Sequence, residues 1–403
     1  MIHALLLSSV ILQGQAGGAH GGQVIIPTNR VEILVESAWN ESDAIQIDAK
    51  RQKDLDRDVE LGKEYSKLVD KELKASTNEE AIKRVERIGV EMSAIANGTP
   101  AEVTWGDKRP SKFSYIFKVV QGEDVNAFSL PGGFIYVYEG LVKYAESDDE
   151  LAGVLAHEIS HAAFRHVWSL QRQSEKLQIG TLLAALVAVM TRSPDATNIL
   201  RATQLGAQAF QSAWSQDAER AADYGGLQFI TKSRYDATGC VTFMERLARD
   251  EKTKNSIDWG IFRTHPPSKE RVQSLLGYMN RANLPVRRSA VTVTFRTQIK
   301  PGDDGTVEAW FNGKKIYMFA GTDALNRADN AAKKLDAFYD QVPSMIEVSD
   351  GDGVVLFNYR PLLVILPEDA EAQKLSVQTL TEQTTKAIKG SLFSLGYRIW
   401  GIQ

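Results

Sequence analysis

Cysteine is almost missing from this chain: Cys240 is the only one among 403 residues. No intramolecular disulfide can form and no thiolate cluster can assemble, so a bound metal has to rest on imidazole and carboxylate ligands. An excess of basic residues is missing as well. With 47 Lys and Arg against 51 Asp and Glu, the formal net charge is -4, which provides no broad positive field for nucleic acid. Long hydrophobic runs are also missing, since none reaches the roughly 18 to 20 apolar residues that cross a bilayer. The longest, 179–190, reads either as a buried helix beside a functional site or as a peripheral membrane contact. No internal repeat with a period of about 20 to 50 residues is present, which argues against a helical-repeat scaffold.

What is present is apolar material, 43% of residues. That suffices for a core in each of two or more domains, the expectation for a chain of this length. Residues 1–19 hold an apolar run followed by the small residues of Gly14-Gln15-Ala16 and Gly17-Gly18-Ala19. This is the pattern of a secretory signal, although only His3 stands where Lys or Arg is usual. The mature chain is then expected to begin between Gly17 and His20, in a bacterial periplasm or secreted. Residues 58–74 and 79–96 have helical spacing, the second opened by a capping box of Thr77 and Glu80. Aromatic and β-branched residues over 113–120 and 133–138 predict strands, parted by Pro131-Gly132. Residues 147–163 predict a helix capped by Ser147 and Glu150. Beyond Arg287, the β-branched alternation over 291–299 predicts a strand, and Asn312-Gly313 between 307–311 and 315–319 predicts a hairpin. A helix over 323–339, strands over 354–357 and 362–366 and a Ser376-capped helix complete the pattern. The expected division is a first domain over 24–284 and a small α+β domain over 288–403.

Within the capped helix lies His157-Glu158-Ile159-Ser160-His161. Positions four apart on a helix share a face, so both imidazoles reach one ion and Glu158 sits beside them. There a carboxylate can take the proton of a water whose pKa a zinc ion lowers towards about 7. A catalytic zinc needs a third protein ligand, and Glu219 is the candidate, with Asp223 one turn on to accept from a ligating His. Both are equally readable as solvated acids on a helix. His166, five residues beyond His161, points away from both imidazoles if the helix continues, and reads as structural.

Together with Asn126-Ala-Phe-Ser-Leu-Pro-Gly-Gly133 and His265-Pro266-Pro267, these motifs resemble the M48 peptidases. That family contains the bacterial heat-shock membrane protease and the CAAX-prenyl protease, and the likeness is greatest to its soluble, periplasmic branch. The four motifs stand in the family's order over residues 58–276. The resemblance implies a mainly helical α+β, zincin-like (gluzincin) peptidase domain with a small sheet, followed here by the small α+β domain. It implies one Zn2+ per chain on His157, His161 and Glu219, Glu158 as catalytic base, and Asp223 as the carboxylate behind the ligands. It also implies that the strand after Pro131 flanks the cleft, so that Asn126, Gly132, Gly133 and Phe134 bind substrate. An edge strand there would hold an extended peptide by main-chain hydrogen bonds. His265 reads as an oxyanion donor, as a cap on the zinc in a resting state, or as a turn residue before Pro266. Where family members often carry several acids just before the third ligand, Asp217-Ala218-Glu219 has one. The C-terminal domain lies outside the resemblance and reads as a module that docks an unknown partner, or as a structural appendage.

The expected function is cleavage of exported or misfolded polypeptides. A non-catalytic chaperone or assembly factor on the same fold is the alternative, against which Glu158 speaks, because a binding protein needs no base. A zinc amidase is a third reading, disfavoured by the substrate-strand motif.

Overall fold

The computed structural model describes residues 46–173, 178–191, 216–251, 265 and 269–396. The expected signal segment and its cleavage point lie outside them. Helix α1 (Ala49–Glu72) opens at Asp48, whose Oδ1 accepts from Arg51 N at 2.8 Å. Helix α2 (Glu79–Gly98) opens at Asn78, which accepts from Ala81 N at 3.1 Å, so the cap is Asn78 and not Thr77. Caps of this kind contribute about 1 kcal/mol each.

Strands β1 (Ile116–Val120), β2 (Ala127–Leu130) and β3 (Phe134–Tyr138) form a sheet in the order β1-β3-β2, with β1 parallel and β2 antiparallel to β3. The alternation of side chains along a strand sorts its two faces. Ala127, Ile135 and Val137 enter one hydrophobic core, while Phe128, Leu130, Phe134, Tyr136 and Tyr138 enter another. A short α3 (Glu139–Tyr144) leads to α4 (Asp148–Ala163), the helix that carries both predicted imidazoles. Ser147 Oγ accepts from Glu150 N at 3.1 Å, and Asp148, Asp149 and Glu150 place negative charge at the positive end of the helix dipole. The Glu150 carboxylate turns to Glu146 N at 2.8 Å, so only half of the expected capping box forms.

Helices α5 (His166–Gln173) and α6 (Ile179–Thr191) follow. Leu182, Leu183, Leu186 and Met190 of α6 pack into the core shared with α1 and the sheet. Tyr65 and Tyr138 donate to the Gly180 and Met190 carbonyls at 2.9 and 2.6 Å, so the 179–190 run is a packed helix. Among the described residues no helix is long and apolar enough to cross a membrane. Helices α7 (Gln216–Ile230), α8 (Thr238–Glu251) and α9 (Lys269–Arg281) complete the core around α4, with Ile88, Leu155, Leu227, Val241 and Leu275 at its centre.

The expected strand over 291–299 does not form. Its place is taken by α10 (Arg288–Val291) and a 3-10 turn, Val293–Phe295, and β4 (Gln298–Pro301) begins only afterwards. Tertiary contacts override the β-branched preference here. Arg288 is drawn to the buried Glu245 at 2.8 Å and Ser289 N donates to Asp340 Oδ1 at 2.8 Å. The predicted hairpin is present as β5 (Val307–Phe311) and β6 (Lys314–Phe319), with Asn312 and Gly313 at φ 48° and 73°, as the two-residue turn requires. Helix α11 (Ala324–Asp340), strands β7 (Val348–Gly351), β8 (Val354–Phe357) and β9 (Arg360–Val364), and helices α12 (Pro367–Ala372) and α13 (Val377–Leu395) follow. Phe311, Phe319, Leu335, Tyr339, Val355 and Ile388 belong to their common core. The architecture is mainly helical α+β, with a small sheet beside the helix of the imidazoles and further small sheets after residue 295.

Candidate active site

Helix α4 presents His157 and His161 on one face, with Nε2 atoms 3.0 Å apart. Helix α7 crosses close enough to deliver Glu219, because Gly225 lies against α4: a Cβ there would meet Ser160 Oγ at 2.7 Å and the Phe164 ring at 2.4 Å. Glu219 Oε2 is 3.4 Å from His157 Nε2, and its Oε1 is 3.4 Å from His161 Nε2. His265 completes the group, with Nδ1 2.9 Å from Glu219 Oε1 and 3.3 Å from His157 Nε2. The four residues are buried, and their ligand atoms lie within 4.8 Å of one another.

Spacing tests whether a zinc ion fits. With zinc bonds of about 2.0 to 2.2 Å, neighbouring ligand atoms of a tetrahedron stand roughly 3.3 to 3.6 Å apart. The distances above, 2.9 to 3.4 Å, are close to those edges. The chemistry agrees as well, since two imidazoles and a carboxylate are a set that zinc favours. Each imidazole on α4 has its outer nitrogen occupied, His157 Nδ1 by Asp223 Oδ1 at 2.9 Å and His161 Nδ1 by His166 Nδ1 at 2.8 Å. Both Nε2 atoms are therefore the ones turned inward.

Glu158 is buried beside the group, and among the described residues neither of its carboxylate oxygens has a hydrogen-bond partner. His265 Nε2 lies 3.3 Å from Glu158 Oε1. Arg271 of α9, which the sequence reading missed, reaches in from the far side. Its guanidinium contacts Glu219 Oε2 at 2.8 Å and grips Asp223 through both oxygens at 2.7 Å. Burial works against the charge on Glu219, but His265 and Arg271 outweigh it and hold the carboxyl well below its usual range. Asp223 is likewise lowered against burial, chiefly by Arg271. Burial pulls the His157 imidazole down, yet its hydrogen bonds to Asp223 and Glu219 prevail and raise it to about 10. Nothing in the sequence around Arg271 marks it, since a lone arginine on an amphipathic helix has no motif.

His166 is placed where the sequence reading did not expect it. The α4 helix stops at Ala163, and Arg165 takes a left-handed φ of 52° before α5 starts at His166. That break swings the imidazole back onto His161 instead of away from it.

The expected substrate strand is not an edge of the sheet. Phe134 begins β3, the middle strand, whose backbone is paired on both sides. The outer strands are β1 and β2, and of these β2 follows Asn126 and runs beside α4. Gly132, at φ 76°, is needed for packing, because a Cβ would strike Val59 Cα of α1 at 2.6 Å. Gly133 faces Phe113 and Tyr115, Phe134 is buried in the core, and Asn126 is buried with its amide towards Met190. Ser129, Leu130 and Pro131 share a small cavity with His161. On the other side of the imidazoles an apolar recess is lined by Val154, Phe243, Met244, Leu247 and Leu275.

Residues 101–279 match the family described as Peptidase family M48. The beta-barrel assembly-enhancing protease of Escherichia coli (strain K12) is 32% identical over 177 residues, which is 43% of this chain and 35% of that protein. The mitochondrial metalloendopeptidase OMA1 of Saccharomyces cerevisiae is 30% identical over 161 residues, 39% of this chain and 44% of the relative. Metalloprotease YcaL of Escherichia coli (strain K12) is 30% identical over 208 residues, half of this chain and 71% of the relative. The chain spans about a third of the length of the assembly-enhancing proteases it matches. With this match and this similarity to a named metalloprotease over 71% of its length, the chain belongs to peptidase family M48.

Proposed function

We propose that this protein is a zinc-dependent endopeptidase in which His157, His161 and Glu219 hold the metal and Glu158 is the catalytic base. The observation that carries the reading is Glu158, a buried carboxylate whose oxygens have no hydrogen-bond partner among the described residues, beside a donor group of zinc-like spacing. A bound zinc supplies a polarised carbonyl and a water acidified towards about pKa 7. Glu158 takes the proton of the attacking water and passes it to the leaving nitrogen. Asp223 fixes His157 by accepting from Nδ1, and Arg271 fixes both Asp223 and Glu219. The outer edge of β2 holds the substrate backbone as an added strand, and the recess at Val154 and Leu247 takes an apolar side chain.

His265 acts as the resting-state cap. Its Nδ1 stands among the donors, and its Nε2 faces Glu158, so it covers both the open position and the base. Replacing it with Ala should raise the cleavage rate, and a fall would favour oxyanion donation instead. The substrates are exported or misfolded polypeptides, in keeping with a relative named for assembly-enhancing proteolysis and with the signal-like pattern of residues 1–19. The peptidase domain is taken as 24–284, and residues 288–403 form a docking module. Supporting that module, Ile346 and Tyr359 are each 92% exposed on adjoining loops joined by the Asn358 N–H and the Glu347 carbonyl.

Casein digestion tests the reading. The purified chain should cleave casein, lose the activity to a chelator and regain it with Zn2+. Casein binding without cleavage would establish the chaperone alternative, and hydrolysis confined to non-peptide amides would establish the amidase.

A further inference from the structure

His161 differs from His157 in what stands behind it. His157 leans on a carboxylate, whereas His161 leans on a second imidazole, His166, at 2.8 Å between Nδ1 atoms. The other nitrogen of His166, Nε2, lies 3.1 Å from the Trp105 carbonyl. A carbonyl oxygen only accepts, so His166 Nε2 carries the hydrogen. His166 is completely buried between an imidazole and a carbonyl, surroundings that disfavour a second, charge-bearing hydrogen, so Nε2 holds its one hydrogen. Its Nδ1 is then a lone pair, and His161 Nδ1 must donate to it. It follows that His161 Nε2 is a lone pair aimed into the donor group, the tautomer a metal ligand needs.

We infer that His166 is a positioning residue, which with the Trp105 carbonyl forms a two-step relay selecting the metal-binding tautomer of His161. The inference rests on the zinc reading of the site. The surroundings hold the relay rigidly. Gly106, at φ 121°, lets the loop approach so closely that a Cβ would meet the Phe164 carbonyl at 2.7 Å and His166 Cδ2 at 3.0 Å. Asp107 N donates to that same Phe164 carbonyl at 2.8 Å. The Asp107 carboxylate bonds Arg51 and Arg165 at 2.9 and 3.0 Å, and Arg165 also grips Asp58 at 2.6 Å. These buried pairs tie α1, the Trp105 loop and the end of α4 together. Because the relay is uncharged, it orients His161 without adding another carboxylate to a group that already holds Glu219, Asp223 and Glu158.

The test uses the full chain and Zn2+ titrated against a competing chelator, with circular dichroism for folding. His166→Phe keeps the ring volume and removes the acceptor. It should weaken zinc binding by about 10 to 100-fold, the usual effect of losing a ligand's hydrogen-bond partner. His166→Asn places an amide oxygen near the lost Nδ1 and should bind zinc close to wild type. In the metal-free wild type, 15N spectra should show His161 protonated at Nδ1 alone, and His166→Phe should show a tautomer mixture. Equal zinc affinity in the Phe and Asn variants would overturn the proposal, as would a mixture at His161 in wild type. The spectrum needs no metal, so it stands even if wild type binds no zinc, an outcome that would instead overturn the peptidase reading.

Discussion

At the level of single residues, the proposed site has two carboxylates with different roles, Glu219 as a metal ligand and Asp223 as a group that holds a ligand in place. Glu219 has an oxygen 3.4 Å from each inward-facing imidazole nitrogen, while Asp223 touches the outward nitrogen of His157 at 2.9 Å. Glu219→Ala should therefore abolish stoichiometric zinc, whereas Asp223→Ala should keep measurable binding, weakened by about 10 to 100-fold. Chelator competition on both variants checks this, and wild-type affinity in Glu219→Ala would move the ligand to another residue. What was legible here is what a local period encodes. His157, Glu158 and His161 are one helical turn apart, and Asp223 is one turn beyond Glu219. Arg271 and Trp105 were not legible, since they act through contacts made only after folding.

At the scale of elements, the clamp around Asp107 decides how firmly the end of α4 is held. Burial acts to raise the Asp107 carboxyl, but hydrogen bonds and charge from Arg109 and Arg51 outweigh it and hold the group well below the ordinary carboxylate range. A depressed carboxyl stabilises the fold above its unfolded value, near pH 3.9, and the contribution is lost as pH falls further. Thermal melts of wild type should therefore drop below about pH 4. Asp107→Asn should cost about 3 to 5 kcal/mol at pH 7, because it leaves buried Arg51 and Arg165 undercompensated. Its stability should vary less with acid, and an unchanged acid profile would show that other carboxylates dominate. The helices and the 307–319 hairpin were readable because helical spacing and Asn-Gly are local signals, although neither expected capping box forms in full. The β2 edge strand was missed because Ala127–Leu130 is too short to show a period and is buried on both faces. The 291–299 run was misread because Glu245 and Asp340, distant in sequence, claim Arg288 and Ser289.

At the scale of the whole molecule, one hydrophobic core surrounds α4 and a separate one is built from Phe295 onwards. The change of character beyond Arg287 was visible in composition and turn signals, but the buried contact of Arg288 with Glu245 was not. Helix α8 lies between the two, lining the apolar recess with Phe243 and Met244 while holding Arg288 through Glu245. In the proposed function this arrangement serves one reaction, hydrolysis of a peptide bond with Glu158 as base. General-base assistance is typically worth about 10² to 10⁴-fold. The most direct measurement is zinc content and peptide cleavage of Glu158→Gln beside wild type. Both should hold one zinc per chain, and the variant's rate should be lower by about 10² to 10⁴-fold. Wild-type turnover in a zinc-loaded Glu158→Gln would contradict the assignment of Glu158 as base.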